Sequence, residues 1–229
     1  MNEWDELYKN NDVSANIILE FHTLIGRHVV EAAKTLELGC GTGNNISLLL
    51  RMPTDYYGID FSQTAIDGAR ALYPYIAGKL LCRDITKELP FPNDTFDLVC
   101  DRASLAHNDS KAIEAGLREV LRVLKPGGIF IASDWFSAKH SERERGEYMA
   151  DAGRTRNGYP DGQFANIGAV HFFDDAEIIG AFADFEMVMV QERLTRFPPQ
   201  RGLYMWVSPY YVHKEYISAV WDIVVRKPL

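Results

Sequence analysis

The chain has 229 residues, 47% hydrophobic and 24% charged, with a formal net charge of -8, enough for one large domain or a domain with a modest cap. That acidic balance argues against a polyanionic partner such as DNA, because phosphate binding is driven by Lys and Arg, which concentrate only locally, around Arg143 and Arg145. No run of about 18 apolar residues reads as a membrane span, and the opening MNEWDELYKN lacks the basic and apolar regions of a secretory signal.

In chain order, Trp4 and Tyr8 come first, ahead of apolar residues at Ile17, Ile18, Phe21, Leu24, Ile25 and Val29 whose spacing predicts a helix. KTLEL predicts a strand, followed by a glycine-rich turn and a helix through NISLLLR. DYYGID is the second strand, and Ser62 is placed as the N-cap of a helix over QTAIDGARAL. GKLLCRD and FDLVCD are the third and fourth strands, the latter apolar enough to be covered on both faces. KAIEAGLREVLRVL is an amphipathic helix stopped by KPGG, and IFIASDW is the fifth strand. This alternation over residues 34–135 implies a parallel sheet with helices on both faces.

Beyond Trp135 the texture changes. Residues 136–173 are polar, glycine-rich and studded with aromatics, and read as a helix plus loop that caps the core. A helix then starts at Asp174 or Asp175 and runs through AEIIGAFA, FEMVMVQERL is a strand, and SAVWDIVVRK closes as the final strand. One domain is expected: an N-terminal helical lid (1–33), a core (34–135), a cap insertion (136–173), and the rest of the sheet (174–229) with a proline- and aromatic-rich insertion at 196–216. Cys40, Cys82 and Cys100 have neither paired spacing nor His companions, which reads as free thiols in a reducing cytoplasm.

The most informative stretch is LELGCGTGNN, where Gly39, Gly41 and Gly43 follow Glu37. A dinucleotide fingerprint, G-x-G-x-x-G, would need a glycine where Asn44 stands. A carboxylate two residues ahead of the first glycine would repel a pyrophosphate and suits a ligand with an ammonium group and no phosphate. The run E-L-G-C-G-T-G resembles the first motif of class I S-adenosylmethionine-dependent methyltransferases. The resemblance continues in register through YYGIDFS, LCRDI, LPFPNDTFDLVCDRASLAH and LREVLRVLKPGGIFIASD.

That resemblance implies a Rossmann-like, doubly wound seven-stranded α/β sheet, mostly parallel with an antiparallel last strand. It implies S-adenosylmethionine as cofactor and S-adenosylhomocysteine as product. It places Asp60 on the ribose hydroxyls, Asp84 on the adenine amino group, and Ile85 and Phe61 against the adenine. Glu37 sits near the cofactor's amino group, and Gly39, Gly41 and Gly43 leave room for its methionine portion and ribose. The backbone at Arg102 and Ala103, with Asp101 alongside, meets the methionine amine. Trp4 and Tyr8 either fold over the cofactor as a lid or pack the first helix.

Methyl transfer needs an aligned nucleophile and a dry site, and a base only when the acceptor arrives protonated. Candidate bases are His107, six residues after Asp101, and His171 in GAVHFFDD; His140, within KHSERER, reads as a solvated helix residue. DRAS stands where amino-methyltransferases of nucleic-acid bases often carry an Asn/Asp-Pro-Pro-aromatic motif, which again disfavours DNA. Asn108 and Asp109 match a metal-binding Asp-Asn pair poorly, so no metal is expected. The cap aromatics Trp135, Phe136, Tyr148, Tyr159, Phe164, Phe172 and Phe173, with Trp206, Tyr210 and Tyr211, point to a small-molecule pocket. Arg154 and Arg156 either meet an acidic substrate or sit in water. The expectation is a cytoplasmic methyltransferase acting on an O, N or S atom of a small molecule, without nucleic-acid or membrane partners. An NAD(P)-dependent oxidoreductase and a non-catalytic S-adenosylmethionine-binding regulator are the alternatives. Whether the chain is a monomer or a homodimer stays open.

Overall fold

Ten strands run through the computed structural model, which describes residues 3–10, 19–31, 33–151, 154–199, 209–211 and 214–229. They are β1 (Ala33–Leu38), β2 (Thr54–Asp60), β3 (Leu80–Cys82), β4 (Phe96–Arg102), β5 (Leu124–Phe136), β6 (Glu147–Tyr148), β7 (Thr155–Asn157), β8 (Val170–His171), β9 (Glu186–Phe197) and β10 (Tyr216–Arg226). Seven form one sheet in the order β3-β2-β1-β4-β5-β10-β9. Strands β1 to β5 pair in parallel, and β10 runs antiparallel to both β5 and β9. The chain builds outward from β1 through β2 to β3, then crosses over to β4. The strand order therefore reverses between β1 and β4, and open α/β sheets hold ligands at the carboxyl ends of strands around such a reversal.

The helices are α1 (Glu3–Asn10), α2 (Leu19–His28), α3 (Ile46–Leu49), α4 (Gln63–Leu72), α5 (Ser110–Val123) and α6 (Asp175–Ala181). Their starts are capped by side chains the sequence supplies. Ser62 Oγ accepts from the Ala65 amide, Asp109 Oδ1 from Ala112, and Asp174 Oδ1 from Glu177. Alternate side chains of each strand feed two apolar layers. Val99 and Phe130 lie in the layer with α5, and Leu98, Cys100, Ile129 and Ile131 lie in the layer with α2 and α4. Each such fully buried aliphatic or Phe side chain contributes roughly 1.5–3 kcal/mol relative to exposure.

Three expectations need correction. Among the described residues, 136–173 hold no α-helix; a 3-10 turn at Ser141–Glu144 leads into the small antiparallel sheet β6-β7-β8. Gly146, Gly158, Gly162, Asn166 and Gly168 all take positive φ there, which breaks a regular helix repeatedly. KPGG does not separate α5 from a strand. Instead β5 begins at Leu124, and the register shift between Phe96 and Leu98 of β4 absorbs the extra residues as a bulge. Trp4 and Tyr8 do not precede the first helix; they lie on α1, four residues apart and so on one face. Ile17, Ile18 and Trp206 lie outside the described residues. No helix among the described residues is long and apolar enough to cross a membrane.

Candidate active site

A cavity of about 620 Å³ opens at the carboxyl ends of β1, β2 and β4, within the range of small-molecule sites. One half is built from strand-end turns. Gly39, Gly41, Asp60, Phe61, Asp84, Ile85, Arg102 and Ala103 all line it, as the motifs imply. Asp60 is buried, with Oδ2 accepting from the Gly41 amide at 2.9 Å and Oδ1 from Ser62 at 2.8 Å. Burial raises its pKa, and those backbone donors work the other way by favouring the carboxylate. Asp84 Oδ1 takes the Thr86 amide and hydroxyl at 2.9 and 2.6 Å, which leaves Oδ2 without a partner among the described residues. Phe61, 49% exposed, and buried Ile85 give that end an apolar surface.

The glycines are required for a reason the sequence did not show. At Gly39, φ +65°, a Cβ would overlap the Ser104 side chain, and at Gly41, φ +56°, it would stand 2.7 Å from the Tyr8 hydroxyl. Neighbouring protein atoms, rather than a ligand alone, exclude a side chain at both. Gly43 does not line the cavity; it packs under Tyr73 and Ile46. Glu37 is likewise beneath the floor. Its carboxylate accepts from Asn45 Nδ2 and from the Tyr56 hydroxyl, each at 2.6 Å. Asn45, which sequence reasoning missed, does line the cavity, and its buried Oδ1 has no hydrogen-bond partner among the described residues. Because the carboxylate can only accept, it orients that amide and keeps Oδ1 available. Asp101 is also off the wall, holding Trp135 Nε1 at 2.6 Å and the Leu105 amide at 3.2 Å; burial pushes its pKa up to about 7.

The other half is a chamber under the cap. Phe136, Phe164 and Ile167 form its apolar wall, and Arg193, Thr195, Ser218 and Val220 of the β9–β10 pair form another. These four share one sheet face, since Arg193 faces Val220 and Thr195 faces Ser218. Rings bridge the two halves: Trp4 lies 6.3 Å from Tyr8 and 5.2 Å from His107, and His107 lies 5.2 Å from Phe136. His107 Nδ1 is 3.1 Å from the Ala169 carbonyl, which only accepts, so Nδ1 carries the proton and Nε2 is bare. Enclosure by protein lowers its pKa to about 4.

His140 is not solvated. It is buried, lines the same chamber, and accepts the Glu142 amide on Nδ1 at 3.2 Å; burial lowers its pKa to about 3. Gln163 lies beside it, a second residue missed by sequence reasoning. His171, by contrast, is not brought to the cavity. It is buried in a groove between α5 and α6, bonded to Thr155 at 2.7 Å and Glu177 at 2.9 Å. Arg154 pairs with Glu177 at 3.4 Å, and Arg156 lies 3.6 Å over the Tyr148 ring, so neither lines the cavity. Of the cap aromatics, Trp135, Tyr159, Phe172 and Phe173 are core, and Tyr210 and Tyr211 flank Arg145. Among the described residues no three His, Cys, Asp or Glu gather where they could hold a metal ion.

Comparison with known proteins agrees with this layout. Residues 35–128 match the family model described as a methyltransferase domain. Fatty-acid O-methyltransferase from Mycolicibacterium smegmatis is 33% identical over 130 residues, 56% of this chain and 46% of that protein. The 2-methyl-6-phytyl-1,4-hydroquinone methyltransferase of a Synechocystis species is 35% identical over 104 residues, 44% of this chain and 31% of that protein. The chain thus spans less than half the length of these curated relatives. A solved S-adenosylmethionine-dependent methyltransferase from Methanosarcina mazei superposes with a TM-score of 0.68 at 20% identity, covering 90% of this chain and 97% of the other. A 1,6-didemethyltoxoflavin-N1-methyltransferase from Burkholderia thailandensis, solved with 1,6-didemethyltoxoflavin and S-adenosylhomocysteine bound, gives a TM-score of 0.61 at 16% identity, covering 92% and 77%. At such identities the solved structures speak to the fold. With the strand order, the glycine turn and the matched segment together, residues 35–128 match a methyltransferase domain, set in a chain with the fold of the class I S-adenosylmethionine-dependent methyltransferases.

Proposed function

We propose that this chain is an S-adenosylmethionine-dependent methyltransferase acting on an O, N or S atom of a small molecule. Its free cysteines suit a reducing, cytoplasmic setting. The observation that carries the reading is a single cavity lined at one end by Gly39, Gly41, Asp60 and Asp84 and at the other by Phe136, His140 and Phe164. The named relatives support methyl transfer over hydride chemistry.

The residues present fit the cofactor. The unpartnered Oδ1 of Asn45 is an acceptor suited to an ammonium group, since a buried polar atom left unpaired costs about 1–3 kcal/mol. Asp60 would hold the ribose hydroxyls through lone pairs its backbone donors leave over, and Asp84 Oδ2 would take the adenine amino group. Phe61 and Ile85 would pack the ring, and the backbone at Arg102 and Ala103 would border the methionine portion. Trp4 and Tyr8, on the face of α1 turned to the cavity, would exclude water as a lid. When bound, the cofactor supplies an activated sulfonium methyl and a neutral leaving group.

The chain's own task is to position an acceptor in the chamber and to receive its proton. His107 Nε2 is the group for that proton, fixed in place by the Nδ1 contact to Ala169. Since His107 titrates at about 4, its Nε2 is bare above that pH. Transfer to a hydroxyl acceptor therefore stays level from neutral pH downward and falls only as pH nears 4. His107→Ala removes that limb and slows transfer by about 10²-fold, the low end of general-base contributions. Transfer of labelled methyl from S-adenosylmethionine across a panel of phenols, alcohols, amines and thiols tests the reading. Product on any of them supports it, and oxidation or reduction of the panel with NAD(H) in place of methylation contradicts it.

A further inference from the structure

The acceptor half of the cavity contains charge, and the charges answer one another. Arg193 Nη2 donates to Asp134 Oδ1 at 2.6 Å and to Asp222 Oδ1 at 3.1 Å, and its Nε donates to Asp222 Oδ2. Asp222 is buried and also accepts from Ser133 Oγ at 2.6 Å. Arg102, the other guanidinium lining the cavity, belongs to the strand-end half beside Ala103 and lies in the electrostatic field of Asp134 and Glu37. Among the described residues Arg193 is the one cation in this half, and it is held between two carboxylates.

The two imidazoles add no positive charge. His107 donates Nδ1–H to the Ala169 carbonyl and keeps Nε2 as an acceptor. His140 accepts on Nδ1, so its proton is on Nε2; Gln163 Nε2 stands 3.1 Å from that nitrogen, and exchanging the amide's nitrogen and oxygen puts an acceptor there. Burial keeps both rings uncharged at neutral pH. A carboxylate entering this chamber would shed its water and meet there only Arg193, already held by Asp134 and Asp222, so its burial would go uncompensated. An uncharged donor group loses little, because bare Nε2 accepts its hydrogen. Phe136 and Phe164 suit a planar apolar body beside it.

We propose, resting on the methyl-transfer reading above, that the acceptor is an uncharged, largely planar molecule that presents a hydroxyl or N–H to His107 Nε2, and that the chamber refuses carboxylates. This separates the chain from its relative named fatty-acid O-methyltransferase, although the two share 33% identity over 130 residues. Asp134 is the residue that decides it, because with Asp222 it sets two carboxylates against the single guanidinium of Arg193 and leaves the cluster net negative toward an incoming anion. Its φ of +58° is one that Asn tolerates well, so Asp134→Asn removes the charge without straining the backbone.

The test uses the full chain saturated with S-adenosylhomocysteine, with 2-naphthol against 2-naphthoate and 1-hexadecanol against palmitate, read by thermal shift. In the unmodified protein 2-naphthol should raise the melting midpoint and neither carboxylate should. In Asp134→Asn, Arg193 has one carboxylate fewer, and the affinity ratio of 2-naphthoate to 2-naphthol should rise at least tenfold. Stabilisation of the unmodified protein by either carboxylate as strongly as by its neutral counterpart overturns the proposal. So does a response to none of the probes, or an unchanged ratio in the variant. If S-adenosylhomocysteine itself gives no shift, the methyl-transfer reading fails, and this proposal with it.

Discussion

The cofactor half of the cavity is made of turns at neighbouring strand ends, whereas the acceptor half is assembled from side chains of distant segments. Asp60 reaches the Gly41 amide across 19 residues, within one strand–helix–strand unit. Arg193 reaches Asp134 across 59 residues, and Ser133 reaches Asp222 across 89. In the first half backbone shape sets the geometry, so few residue types are admissible at each position. In the second, tertiary packing sets it, and many side-chain sets could serve.

Breaking the backbone side of that contrast should have the largest effect. Gly39→Ala puts a Cβ into Ser104 at φ +65°. The left-handed strain costs ~1–2 kcal/mol and the overpacking ~1–3 kcal/mol, so urea unfolding should show a loss of roughly 2–5 kcal/mol. A loss well below that range would mean the turn adapts and backbone shape is not what constrains it. Asp60→Ala comes next. Calorimetric titration should show S-adenosylhomocysteine binding weakened by about 1–3 kcal/mol, the cost of stranding its polar partners. Unchanged affinity would place the ribose elsewhere.

On the acceptor side, Phe164→Leu should lose about 1 kcal/mol of packing, raising the acceptor KM several-fold with S-adenosylhomocysteine affinity unchanged. A parallel loss of cofactor affinity would show that the halves are one mechanical unit. The smallest effect on chemistry belongs to His171→Gln. His171 is bonded to Thr155 and Glu177 in a groove remote from the cavity wall. The variant should unfold more easily yet keep kcat and cofactor affinity per folded molecule. A drop in kcat alone would return His171 to the list of catalytic groups.

The same contrast decides what could be read from the chain alone. The β1 turn and the parallel part of the sheet were legible from local spacing and period, while the antiparallel end of the sheet and the choice of Asp60 and Asp84, which line the cavity, came with the family resemblance. Asn45 was not, although it lies beside the glycine turn, because its role depends on Glu37 orienting its amide. His140 hid in a charged run; only the fold buries it against Phe164 and Tyr216. His171 looked equivalent to His107 by sequence, both preceding a helix at a loop. Their surroundings differ because β8 carries His171 toward α6. Nothing in QERLTRF distinguishes Arg193 from a solvated strand residue, since its partners Asp134 and Asp222 come from β5 and β10.

The central claim is that the glycine turn serves a sulfonium amino-acid cofactor and not a pyrophosphate. Thermal unfolding of the full chain with S-adenosylhomocysteine and, separately, with NAD tests it most directly. The account predicts a raised midpoint with S-adenosylhomocysteine, abolished in Asp60→Ala, and no change with NAD. Stabilisation by NAD and not by S-adenosylhomocysteine would contradict it.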